Sequence, residues 1–153
     1  MLLGKFDESL KGAFKSLDYF KGIQYTSLLV EEIIALCYFF KAQWAEFSEL
    51  LESMIKKAYS VNKKLYNRFL YFKACYNFIE SDYSGCLELL VEIGNNEFER
   101  DEYYLFSRIL QIMCYMETEN TEVVASSLDS IEKYISRNKS LTVIGARLKV
   151  IIK

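Results

Sequence analysis

Two kinds of hydrophobic pattern alternate along this chain. In the first, apolar residues recur every three or four positions on a polar background: Phe6, Leu10, Ala13, Phe14 and Leu17; Trp44, Phe47, Leu51, Met54 and Ala58; Tyr83, Cys86, Leu90 and Ile93; Val124, Leu128, Ile131 and Ile135. That spacing predicts four helices with one apolar stripe each. In the second, at about 27–41, 62–80 and 100–117, apolar residues fall on nearly every side of the helix, as in Leu65, Tyr66, Phe69, Leu70, Tyr71, Phe72, Ala74, Cys75 and Tyr76. A helix apolar all round has to be covered by several neighbours, a one-stripe helix by one side only. The order therefore predicts outer and inner helices in alternation.

The breaks agree with this division. Ala42-Gln43, Ser81-Asp82 and Asn120-Thr121 separate each inner helix from the outer helix that follows, and Ser81, Asp82 and Thr121 are suitable N-caps. Ser60-Val61-Asn62, Gly94-Asn95-Asn96 and Arg137-Asn138 separate successive pairs, Gly94 and its asparagines having left-handed C-cap chemistry. Proline is absent and the six glycines are scattered, so helix is the default between these breaks.

Sliding the chain by 39 residues brings Ala35 onto Ala74, Leu36 onto Cys75 and Cys114, Cys37 onto Tyr76 and Tyr115, and Leu50 onto Leu89 and Leu128. A helix pair repeated at such a period marks an α-solenoid, in which each hairpin buries its apolar face only against its neighbours. The expected fold is all-α, an α-α superhelix of about three helical hairpins at about 27–60, 62–96 and 98–136 within a single domain, 1–153. An outer-type helix at about 5–20 and an inner-type pattern, Leu141, Ile144, Leu148 and Ile151, stand as unpaired end helices. Neither has the polar outer face of a capping repeat. That predicts a segment of a longer solenoid, or a homo-oligomer joined through the end helices.

Composition narrows the function. With 52% hydrophobic residues, 12 Tyr and 11 Phe, the chain has enough apolar surface to fold. Nineteen basic and 21 acidic residues give a net charge of −2, which offers no general attraction for nucleic acid. The balance is uneven: 41–73 carries seven positive and three negative charges, 80–122 two positive and eleven negative. The longest apolar run, Leu28 to Phe40, contains Glu31 and Glu32 and is shorter than the roughly 20 residues that cross a membrane. Met1-Leu2-Leu3-Gly4-Lys5 leads directly into charged amphipathic sequence, without the apolar core of a secretory signal, so a cytoplasmic location is expected. Cys37, Cys75, Cys86 and Cys114 lie in apolar patterns without CxxC spacing and read as small buried hydrophobes.

The chain contains no histidine, which removes Ser-His and Cys-His nucleophiles, imidazole bases and the Glu-x-x-His metal arrangement of helical bundles. It has no Gly-rich phosphate loop, and Glu31-Glu32 and Asp101-Glu102 are neighbours that diverge around a helix. Neither an enzyme nor a cofactor is expected. Lys56, Lys57, Lys63 and Lys64, and likewise Glu97, Glu99, Asp101 and Glu102, read as solvated charges. Their opposite signs would also favour head-to-tail association of like chains.

From Tyr71 to Leu90 the chain resembles a tetratricopeptide (TPR) repeat, and it is similar to TPR-like helical-repeat proteins of bacteria. Ala74 matches the small residue that lets the two helices approach, Tyr83 the aromatic after the turn, Cys86 the next small residue and Leu90 an apolar residue of the second helix. An earlier copy matches with Ala35, Trp44 and Leu51 but has Phe47 at a small-residue position; a later one keeps Ala125 but has Met113 and Glu122. The period of 39, against about 34 in the family, implies helices longer by about a turn in total. The resemblance implies a concave groove on the inner helices that takes a protein or peptide, lined at the matching positions by Leu29, Glu32, Leu36, Phe39, Arg68, Tyr71, Cys75, Phe78, Leu110 and Cys114. The paired Lys and Asn of carboxylate-gripping members are missing, so an apolar segment with aromatic anchors is the better occupant. Two alternatives remain open: a structural, self-associating segment, and a peptide-sensing regulatory domain that controls a separate effector.

Overall fold

The computed structural model describes residues 2–95 and 102–137, and among them there is no strand. Seven helices are described: α1 (Leu2–Tyr19), α2 (Gln24–Phe40), α3 (Trp44–Val61), α4 (Lys63–Ile79), α5 (Tyr83–Asn95), α6 (Glu102–Glu117) and α7 (Thr121–Arg137). The chain divides into two compact units, Met1–Lys73 and Ala74–Lys153, with the division inside α4. The breaks Asn96 and Asn138, the pattern from Leu141 to Ile151, and Glu97, Glu99 and Asp101 lie outside the described residues.

In the first unit α1 packs on α2 and α2 on α3. Leu10 and Ala13 of α1 meet Val30, Ile34 and Cys37 of α2, with Phe6, Leu17, Phe20, Tyr38 and Leu50 around them. The α3 stripe behaves as its spacing predicts: Phe47, Leu51, Met54 and Ala58 are all buried. The sequence pattern leaves α1 without a partner, yet it pairs with α2. The physical reason is the all-round apolarity of α2, of which α3 covers one side only.

In the second unit α5 packs on α6 and α6 on α7. Cys86, Leu90 and Ile93 are buried on α5. Leu105 and Ile112 of α6 cluster with Ile131 and Ile135 of α7, flanked by Ile109, Val124, Leu128 and Tyr134.

The three hairpin turns share one backbone device. The N–H groups of Ala42 and Gln43 donate to the carbonyls of Phe39 and Tyr38, those of Ser81 and Asp82 to Phe78 and Asn77, and those of Glu119 and Asn120 to Met116 and Tyr115. Ala42, Ser81 and Glu119 have φ of 55°, 62° and 57°. These are the paired bonds and the left-handed residue of a Schellman motif, here closed three times without glycine. The left-handed residues are 39 apart, then 38. The third turn therefore comes one residue earlier than the 39-residue alignment of side chains places it. Cys114 is equivalent to Cys37 and Tyr76, and Tyr115 to Tyr38 and Asn77. Val124 takes the place of Phe47 and Cys86, while Ala125 is exposed. Backbone hydrogen bonding, which any residue supplies, sets this register, and a side-chain alignment does not see it.

Side chains cap α4 and α5. Asn62 Oδ1 accepts from Leu65 N–H at 3.0 Å to start α4, and Asp82 Oδ1 accepts from Gly85 N–H at 3.0 Å to start α5. Ser81 is the left-handed turn residue rather than a cap, and Thr121 is the first residue of α7. Gly94 lies within α5, which continues to Asn95, so the left-handed turn expected there does not form at Gly94. Gly85 has a specific use, because a Cβ at that position would collide with the capping carboxylate of Asp82. Gly12, on α1, faces open space. In urea unfolding, Gly12→Ala is expected to stabilise the chain by up to about 1 kcal/mol. Gly85→Ala is expected to show no such gain, because displacing a cap costs about the same amount.

Candidate functional site

At 100° per residue, Leu29, Ile33, Leu36 and Phe40 fall on one stripe of α2. Leu29 and Leu36 are half-buried, whereas Ile33 is 50% and Phe40 61% exposed. The Phe40 ring lies 5.7 Å from that of Phe6 and nearly parallel to it, at 17°, which steadies one end of the stripe against α1. α1 and α3 both pack on α2, and this stripe still keeps two large apolar residues exposed.

Beside it lies a charged pair. Arg68 Nη1, on α4, donates to Glu32 Oε1 at 3.0 Å and Oε2 at 2.9 Å. The Glu32 side chain is 11% exposed and that of Arg68 30%, so the bond is charge-assisted and largely screened from water. Other basic residues of the 41–73 stretch are also used between helices. Lys57 Nζ donates to Glu31 Oε1 at 2.7 Å, Lys41 pairs with Asp7 at 2.5 Å, and Lys73 pairs with Glu52. Lys57, expected as a solvated charge, thus ties α3 to α2.

Of the residues expected to line a groove, Glu32 and Arg68 are brought together, and Leu29 and Leu36 share the α2 stripe. Tyr71 and Cys75 are half-buried on α4. Phe39 turns into its hairpin, edge-on to Trp44 at 5.4 Å and to Phe47 at 5.3 Å. Phe78 does the same against Tyr83, at 5.5 Å. Leu110 and Cys114 are 6% and 0% exposed and belong to the interior. Cys114 Sγ sits 3.3 Å from Cys86 Sγ, and burial pushes both thiols above their ordinary range, which keeps them protonated. These positions depart from the expectation because an all-apolar helix does not announce which of its sides its neighbours will take. Ile33 and Phe40, four and eleven residues after Leu29 on the same face, belong to the stripe although the repeat resemblance does not mark them.

Among the described residues no group of three or more Cys, Asp or Glu is placed to hold a metal ion, and no helix is long and apolar enough to cross a membrane. No family model, curated protein or solved structure matches the chain.

Proposed function

We propose that this protein is a non-catalytic interaction module that takes an apolar segment of a protein or peptide on the α2 stripe, and that its hairpins stack as a TPR-like superhelix. The stacking is supported by the Schellman turn recurring at almost constant spacing. The binding reading rests on a single observation, the exposure of Ile33 and Phe40 in line with Leu29 and Leu36. Fully burying such a side chain is worth about 1.5–3 kcal/mol, and with each about half exposed the two together contribute roughly that amount, so the rest of a bound segment has to supply what association costs. Glu32 and Arg68 add a polar rim that favours one orientation of the bound segment.

Immobilised full-length chain and its Ile33→Glu and Ile33→Glu/Phe40→Glu variants, compared by circular dichroism and then by what they retain from the native cell, test this. Proteins held by the parent are expected to be lost from both folded variants. Retention of the same proteins in the same amounts would remove the stripe as the binding surface.

A further inference from the structure

The sequence between 80 and 122 is strongly acidic and contains only Arg100 and Arg108 as basic residues. The fold nonetheless collects positive charge there. A half-open cleft of about 420 Å³ between α6 and α7 is lined by Tyr104 and Arg108 from α6 and by Ser130, Lys133, Tyr134 and Arg137 from α7. Lys133 and Arg137 are four apart and therefore share a face of α7, and Arg108 meets them from the opposite helix. No carboxylate is among the described lining residues. Asp129, one turn before Lys133, pairs with that ammonium at 2.6 Å, so among the described lining residues the guanidinium groups of Arg108 and Arg137 carry the remaining positive charge.

Arg108 is pre-oriented. Its Nη1 donates at 2.7 Å to Oε1 of Gln111, a side chain kept in the interior where glutamine is rare, and Gln111 Nε2 donates in turn to the Tyr115 hydroxyl at 3.3 Å. A guanidinium held in place loses less freedom when it binds, and its fork matches a carboxylate or a phosphoryl group. The wall beside it is aromatic, with the Tyr104 and Tyr134 rings 5.1 Å apart and tilted by 59°. The cleft volume falls within the range of sites that take a small group.

We infer that the α6–α7 cleft binds an anionic group carried by a peptide, with Arg108 and Arg137 gripping the anion and Tyr104 and Tyr134 packing the residue next to it. This rests on the reading of the chain as a peptide-interaction module but uses a surface separate from the α2 stripe. Two sources share the chemistry, a pair of adjacent carboxylates and a phosphoryl group, and they are told apart by the probe.

The experiment uses the full chain and three fluorescent peptides of one scaffold, each with a leucine beside the variable position: one with Glu-Glu, one with phosphoserine and one with Gln-Gln. Anisotropy at low salt is expected to show at least one anionic peptide binding tenfold or more tighter than the neutral one. The preference should fall about threefold between low and physiological salt, because exposed charges are screened. Arg108→Gln/Arg137→Gln is expected to abolish it. Arg137→Glu alone, at an exposed position on the last turn of α7, should weaken it at least threefold without touching the core. Equal binding of all three peptides, or an unchanged preference in the folded double variant, overturns the inference. Since no native partner is required, failure of the Ile33→Glu test leaves this result unaffected, and the reverse also holds.

Discussion

Phe47→Ala is expected to lower the stability of the first unit by about 3–5 kcal/mol, read as the shift of the urea midpoint at constant slope. Phe47 is 1% exposed and stands edge-on to Phe39 at 5.3 Å, in the angle between α2 and α3. Truncation removes the ring's burial and leaves a void that Phe39, itself 5.4 Å from Trp44, fills only by leaving both of its aromatic neighbours. The equivalent positions after the other two Schellman turns carry Cys86 and Val124, so the turn geometry alone does not demand a ring. A cost below 1 kcal/mol would mean that the α2–α3 hairpin closes around a small residue as its counterparts do, and that the aromatic cluster is not what holds the first hairpin together.

Arg68→Leu is expected to cost about 2 kcal/mol, less than for a fully buried pair because the arginine retains some contact with water. The loss comes mainly from stranding Glu32, whose carboxylate accepts both oxygen contacts from Arg68 Nη1 and is 11% exposed. Replacing both partners, Glu32→Leu/Arg68→Leu, should cost less than Arg68→Leu alone, since no charge is then left without its counter-ion. A double-mutant cycle measured by urea unfolding checks the sign of that difference. Additive losses would show that the pair contributes nothing as a pair, and would remove it as the polar rim of the α2 stripe.

The helices themselves were largely legible. Stripes at Trp44, Phe47, Leu51, Met54 and Ala58, and at Tyr83, Cys86, Leu90 and Ile93, mark α3 and α5 because a period near 3.6 leaves an imprint on the order of side chains. The turns after α2, α4 and α6 were placed within a residue or two by polar breaks. The surface was less legible. Of the residues that the resemblance puts in a groove, Leu110 and Cys114 are buried and Phe39 and Phe78 are half-buried against neighbouring rings, whereas Ile33 and Phe40, which it does not mark, are exposed. On helices as apolar as α2 and α6, composition does not separate a core position from an exposed one. That distinction depends on which neighbour arrives on which side.

The cleft between α6 and α7 shows the same limit for charge. Arg108 sits in an acidic stretch and is 25 residues from Lys133, so nothing local joins them. What the chain's own order of residues determined is the set of helices, their approximate ends and the absence of histidine chemistry, because periodicity, capping and residue type are local properties. Packing decided the partner of α1, the one-residue slip of the third turn, the apolar stripe left open on α2 and the meeting of Arg108 with α7. Each of these depends on how the sides of two helices are shared and on hydrogen bonds of the backbone, which every residue carries alike.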